Sequence, residues 1–240
     1  MLSLFFIPVL DASPKITVSG DEAHHAITVT RLGVGERVAL SDGRGAWAIG
    51  EITSADKKSF TVEVSERGVQ EQRRPLLTVV QALPKSDRVK EAIELIVEAG
   101  ADRIIPWASA RSISKWQGDS QSKWQTTSMT AAKQSRRYFI PQVLDVHTTK
   151  ELTSLFSTNA RALVLHEEGA QPISSVLTQA DAVQEEIFLV IGPEGGITPE
   201  EIQLFHSAGA EVVRLGEPIL RSAHAAIAGL AAVQALIGRW

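Results

Sequence analysis

Apolar positions along the chain fall into two regimes. Up to about residue 70 they come in short runs separated by turn residues. Beyond residue 76 they form longer runs that alternate with segments of helical period. In the first regime Leu4 to Val9, Arg37 to Leu40, Ala46 to Ile52 and Ser59 to Val64 predict strands. Asp42–Gly45 and Ala55–Lys58 supply turns, and Asp21 to Leu32 predicts a short helix ended near Gly33. Closely spaced short strands predict a small β-barrel over residues 1–70. Glu66 to Pro75 is polar, ends in proline and predicts a linker. Leu76 to Leu83 then predicts a strand, with a helix capped by Ser86 or Asp87 behind it. Val89, Ile93, Ile96 and Val97 share one face of that helix, Gly100 closes it, and Ile104 to Trp107 begins the next strand. Strand, helix, strand is the signature of a parallel sheet, so residues 76–240 read as an α/β domain. Thr149 to Phe156 predicts a further helix. Arg161 to His166, Ile187 to Ile191 and Glu211 to Leu215 predict further strands. Arg221 to Trp240, rich in alanine, predicts a slim closing helix.

The stretch from Ile187 to Glu201 organises this second domain. Five apolar residues deliver the loop Gly192-Pro193-Glu194-Gly195-Gly196 to a helix start, where Thr198 is a good N-cap, Pro199 suits the first position and Glu201 completes a capping box. In open α/β sheets ligands bind at such places. The loop has neither G-x-G-x-x-G nor G-K-[ST], and Glu194 would repel a phosphate. It better suits a ligand with an adenosine and a positive centre; a tight turn with no ligand is the alternative. His166 sits at the end of a neighbouring strand, where it is either a base or a structural residue.

Composition narrows the classes. Apolar residues make up 44% of the 240, enough for a sizeable core, and net charge is −4, so any RNA binding needs local basic patches. There is no cysteine, which excludes disulfides, thiolate metal sites and a cysteine nucleophile. No signal peptide is evident and no apolar run reaches the roughly 18 residues needed to cross a bilayer. The clearest basic stretch is 111–137, where Arg111, Lys115, Lys123, Lys133, Arg136 and Arg137 face only Asp119. Trp116, Trp124 and Tyr138 interleave with them. That is an RNA-binding composition; a solvated helix with its tryptophans turned inward would read the same way. His24 and His25 are adjacent, so on a helix they point about 100° apart and suit a structural or RNA-contact role better than a metal.

The pair IGPEGGIT (Ile191–Thr198) and LGEPILR (Leu215–Arg221) resembles the SPOUT class of S-adenosylmethionine-dependent RNA methyltransferases. Within it the chain resembles the RsmE family, which methylates N3 of a uridine in 16S ribosomal RNA. The stretch HHAITVTRLGVGERVALSDGRG from His24 is similar to that family's PUA-like RNA-docking domain. The stretches ALPKSDRVKEAIELIVEAGADRIIPWASARSI and AAKQSRRYFIPQV are similar to its later segments, with Gln134 and Arg137 at matching positions. The resemblance implies a parallel SPOUT sheet with a C-terminal trefoil knot and a PUA-like barrel, a homodimer, and 16S ribosomal RNA or the small subunit as partner. It implies a cytoplasmic enzyme that needs no metal and no membrane. The implied S-adenosyl-L-methionine pocket is Leu165, His166, Gly192, Pro193, Glu194, Gly195, Gly196, Leu215, Gly216, Pro218, Ile219, Leu220 and Ala225. Implied RNA contacts are Arg31, Lys85, Arg88, Arg111, Lys133, Gln134, Arg136 and Arg137. Arg221 is the implied catalytic residue, stabilising charge on the uracil. Two departures stand out. The family's Lys-x-x-Glu-Leu-Gly has Leu95 at its lysine position, with Glu98 and Gly100 matching. Its Thr-Glu-Thr-Ala after the arginine is here Ser222-Ala223-His224-Ala225. With the glutamate replaced by Ala223, His224 is the candidate base. Ribose 2′-O-methylation and a non-catalytic ribosomal RNA assembly role remain as alternatives.

Overall fold

The computed structural model describes residues 2–156 and 159–240. The chain forms two compact units, Met1–Gln72 with Ala132–Ile140, and Arg73–Ala131 with Pro141–Trp240.

The first unit is a curled five-stranded sheet. Its strands are β1 (Ser3–Phe6), β2 (Lys15–Ser19), β3 (Arg37–Ser41), β4 (Ala46–Asp56) and β5 (Ser59–Val69), in the order β1-β3-β4-β5-β2. Only β1 and β3 pair in parallel. Alternate residues Val38, Leu40, Ile52, Phe60 and Val62 turn inward with Phe5. The two long strands bend at irregularities beside Gly50 and Ser54. A Cβ on Gly50 would lie 2.2 Å from the Glu63 carbonyl, so only glycine fits that crossing.

Three expectations shift here, and one strand was missed. The first strand ends at Phe6, short of Val9. The helix is α1 (Asp21–His24) running into a π-turn at His25–Val29, shorter than Asp21 to Leu32. β2 was not singled out in the sequence, although Ile16 and Val18 alternate with exposed residues in the period of a strand. Glu66–Val69 are strand rather than linker, because they pair with Ala46–Ile49 in the outer arm of the hairpin. That arm is largely solvent-exposed, so its sequence reads as polar.

The segment Ala132–Ile140 belongs to this unit through specific contacts. The Gly45 amide donates to Tyr138 and the Ile140 amide to Gly43, both at 3.0 Å. The Tyr138 ring stacks on Trp47 at 5.7 Å. Lys133 Nζ donates to both Glu22 carboxylate oxygens, at 2.5 and 2.7 Å, and lies 5.7 Å above the Phe5 ring.

The second unit is a parallel seven-stranded sheet. Its strands are β6 (Leu76–Ala82), β7 (Arg103–Trp107), β8 (Gln142–Val143), β9 (Ala160–Leu165), β10 (Gln171–Pro172), β11 (Glu186–Ile191) and β12 (Glu211–Arg214), in the order β10-β12-β9-β11-β6-β7-β8. The helices are α2 (Val89–Glu98), α3 (Ser120–Gln134, its last residues in the first unit), α4 (Thr149–Thr153), α5 (Ile173–Val176), α6 (Pro199–Ser207) and α7 (Ser222–Leu236). Both sheet faces are covered, which is why β6 and β11 are nearly continuous apolar runs. Val80, Ala82, Phe188 and Val190 share a core with Leu152 of α4 and Phe205 of α6. Leu189 and Leu165 point the other way, to α7. A Cβ on Gly229 of that helix would lie 2.8 Å from Leu189 and 2.9 Å from Leu165, so glycine sets the close approach. Because every pairing in this sheet is parallel, the strands end along one rim. The Gly-rich loop leaves β11 there.

Candidate active site

The loop after β11 is braced from three directions. Its own helix start is a complete capping box: the Glu201 amide donates to Thr198 Oγ1 at 3.2 Å and the Glu201 carboxylate accepts from the Thr198 amide at 3.1 Å. That carboxylate is buried and also accepts from the Ala110 amide at 2.9 Å and the Thr149 hydroxyl at 3.0 Å. One acid therefore joins α6, α4 and the loop after β7. The second brace is Arg111, whose Nη1 donates to the Gly195 carbonyl at 2.9 Å. The third comes from α7. Ser222 Oγ donates to the Gly192 carbonyl at 2.8 Å and accepts from Gln81 Nε2 at 2.9 Å. Within the loop the Gly196 amide donates to Pro193 at 2.9 Å, with Gly196 at φ 76°.

These braces hold open a groove beside the loop. A cavity of about 300 Å³ is lined by Leu165, His166, Gly192, Pro193, Glu194, Gly196, Ile219, Leu220 and Ala225, among others. It continues into a smaller recess lined by Leu215, Gly216 and Pro218, and the two share Leu165, His166, Glu167, Ile219, Leu220 and Ala225. Of the residues expected in the cofactor pocket, only Gly195 is outside this groove; with Arg111 it lines an adjoining cavity, which shares His166, Glu194 and Gly196 with the groove. His166 is held in a turn, its Nδ1 accepting from the Glu168 amide at 3.1 Å. That bond needs the Nδ1 lone pair, so the ring proton sits on Nε2 while it is made.

A second cavity, of about 280 Å³, adjoins the first and shares Glu194, Arg221 and Ser222 with it. Pro84, Lys85, Arg88, Glu91, Ala223 and His224 complete its lining. Arg88 Nη1 donates to Glu91 Oε2 at 2.9 Å, and His224 Nε2 is 3.8 Å from Glu91 Oε1. The Glu91 hydrogen bond raises the Arg88 guanidinium above its ordinary pKa. Arg221 is exposed at the N-cap of α7, between the two cavities.

The other expected residues lie elsewhere. Arg31, Gln134, Arg136 and Arg137 belong to the first unit. So does Lys133, whose side chain is 14% exposed and pairs with Glu22. Arg111 faces a loop carbonyl. Ser222, Gln81 and Glu91 were not singled out in the sequence. Gln81 had a visible signal, a lone amide inside the apolar run Leu76 to Leu83. Glu91 had only a place three residues after Arg88.

A family model described as an RNA methyltransferase domain matches residues 70–234. The chain belongs to the RNA methyltransferase family. A second family model, an RNA methyltransferase PUA domain, matches residues 18–65 of this methyltransferase. Its relatives include the ribosomal RNA small subunit methyltransferase E of Mycobacterium bovis, 41% identical, with 99% of this chain and 93% of the relative covered. The Bacillus subtilis protein of the same name is 28% identical, with 93% and 91% covered. Among solved structures, the Neisseria gonorrhoeae ribosomal RNA small subunit methyltransferase E bound to S-adenosylmethionine superimposes with a TM-score of 0.87. It is 27% identical, with 98% of each chain covered. The α/β class, the PUA-type N-terminal domain and the methyltransferase activity expected from the sequence are therefore found.

Proposed function

We propose that this methyltransferase transfers a methyl group from S-adenosylmethionine to N3 of a uridine in 16S ribosomal RNA of the small subunit. The observation that carries the reading is the pair of adjoining cavities that meet at Arg221 and Ser222. One suits a donor and the other an acceptor, and methyl transfer needs the two in line and a few ångströms apart. The names of the relatives support the RNA class, and the bound S-adenosylmethionine in the gonococcal structure supports the donor.

The groove fits that donor in chemistry. Leu165, Leu215, Ile219 and Leu220 give an apolar wall for an adenine. At Gly216 a Cβ would meet nothing nearer than Pro218 at 3.8 Å, so bare backbone faces the recess. Glu167 and Glu194 place negative charge beside it, as a positive centre requires. S-adenosylmethionine bound there would supply an already activated methyl group. The chain's own task is at the acceptor. Arg221 stabilises the negative charge that builds on the uracil oxygens as N3 loses its proton; a guanidinium stays charged and cannot be the base. His224, set against Glu91, accepts that proton in place of the carboxylate missing at Ala223.

The homodimer and trefoil knot belong to the same reading. Support for a partner comes from α7, whose Ala223, Ile227, Ala228, Ala231, Ala232 and Leu236 stay part-exposed. A cytoplasmic location follows from a ribosomal substrate. Among the described residues no helix is long and apolar enough to cross a membrane.

The test is a transfer assay with labelled S-adenosylmethionine and unmodified small subunits, with the product nucleoside identified. Label in 3-methyluridine is the expected result. Label on a ribose would replace N3 by 2′-O chemistry, and absence of cofactor binding would overturn the donor assignment.

A further inference from the structure

We propose that a third cavity, walled by Trp116, binds a nucleotide next to the methylated uridine on the same RNA strand. The proposal rests on the RNA substrate argued above.

The structure separates two tryptophans that the sequence could not. Trp124, on α3, is 4% exposed and belongs to the core. Trp116 precedes that helix and is only partly buried. Its ring meets Trp124 edge to face, at 5.2 Å and 74°. Trp124 thus anchors Trp116, which lines a cavity of about 330 Å³ together with Leu83, Pro84 and Val89. Polar Ser86, Gln117 and Asp119 line the cavity too, and an anchored indole among them is a stacking platform for a base, since every base has a face to offer it.

Two further observations select RNA as the occupant. Lys115 and Lys123 stand on the rim, both exposed, where a phosphate backbone would pass. Lys123 also pairs with Asp119 at 2.7 Å, so Lys115 is the stronger candidate. Pro84 lines this cavity and the acceptor cavity alike. A strand with one base in the acceptor cavity would bring its neighbour to the Trp116 side of that wall. Single-stranded RNA is read in this way, by splayed bases on aromatic faces with cations on the backbone.

The experiment compares Trp116→Ala, Trp116→Phe and Lys115→Ala with the wild type. Binding of unmodified small subunits, binding of S-adenosylmethionine and methyl transfer are each measured. Trp116→Ala should weaken subunit binding roughly 5- to 100-fold, the range for losing one stacked base, while cofactor affinity holds. Trp116→Phe should recover most of that loss. Lys115→Ala, on an exposed side chain that cannot unfold the chain, should lower the salt dependence of binding by about one released ion. Unchanged subunit affinity in folded Trp116→Ala, with an unchanged salt slope in Lys115→Ala, would overturn the subsite. If the wild type binds subunits but transfers no methyl, the methylation reading fails and the binding comparison still decides the subsite.

Discussion

The Ser222 hydroxyl donates to the Gly192 carbonyl at 2.8 Å and so fastens the first turn of α7 to the first residue of the Gly-rich loop. The same hydroxyl accepts from Gln81, whose side chain is fully buried in β6. One oxygen thereby ties the loop and α7, which line the donor groove, to the buried strand β6. Ser222→Ala removes it, leaves the part-buried Gly192 carbonyl short of a partner and reduces the buried Gln81 amide to its bond with the Ala82 carbonyl. A hydrogen bond of this kind contributes about 0.5–1.5 kcal/mol net, so S-adenosylmethionine should bind roughly 2- to 12-fold more weakly. Calorimetric titration checks the affinity, and Ser222→Thr, which keeps the hydroxyl, should bind like the wild type.

Arg111 separates two roles that its place in a basic stretch confounds. Its guanidinium donates to the Gly195 carbonyl at 2.9 Å, and its side chain packs on the loop, 3.2 Å from where a Cβ on Gly195 would stand. A brace of this kind predicts weaker cofactor binding in Arg111→Ala, by roughly 2- to 12-fold from one exposed hydrogen bond of about 0.5–1.5 kcal/mol. It predicts no change in the salt slope of RNA binding. A slope reduced by about one ion, with cofactor affinity intact, would make Arg111 a phosphate contact instead.

Lys133 and Glu22 are 14% and 21% exposed and pair at 2.5 Å. Removing one partner strands the other, at a cost between that of an exposed pair and that of a fully buried one, about 1–3 kcal/mol. Lys133→Ala should therefore lower the denaturation midpoint of the first unit. Lys133→Met combined with Glu22→Gln should recover much of the loss, because no charge is left uncompensated. Denaturant titrations of the single and double variants measure the coupling.

What was legible in the sequence follows the strength of each local signal. β11, its loop and the Thr198 cap were read nearly to the residue, since a buried strand, glycines and a capping box are all written locally. The apolar face of α2, read from Val89, Ile93, Ile96 and Val97, was equally clear. The outer arm of β5 was lost because an exposed arm has no apolar alternation to show. The contacts that assemble the site were the least legible. Gln81 and Ser222 are 141 positions apart and Lys133 and Glu22 are 111, and no local pattern records such pairings. Trp116 and Trp124 have the same composition around them, and only packing tells a platform from a core residue.

Arg221 and His224 lie within one turn of each other at the start of α7, yet their variants should fail in different ways. Arg221 sits where the two cavities meet, and its proposed work is to stabilise charge that exists only as the acceptor reacts. Arg221→Ala should lower kcat by roughly 10²- to 10³-fold, the loss typical of one preorganised charge stabiliser. Cofactor affinity should stay within about threefold, because an interaction made only in the transition state leaves ground-state binding alone. His224 shares its cavity with Lys85, Arg88, Glu91, Glu194 and Arg221. As the proposed proton acceptor, its loss in His224→Ala should lower kcat by about 10²-fold. Glu91→Gln, which keeps the shape but removes the charge facing Nε2, should lower kcat less. Single-turnover rates of the wild type and the three variants measure all of this. An unchanged rate in His224→Ala would assign the proton to solvent and leave Arg221 as the chain's contribution to the chemistry.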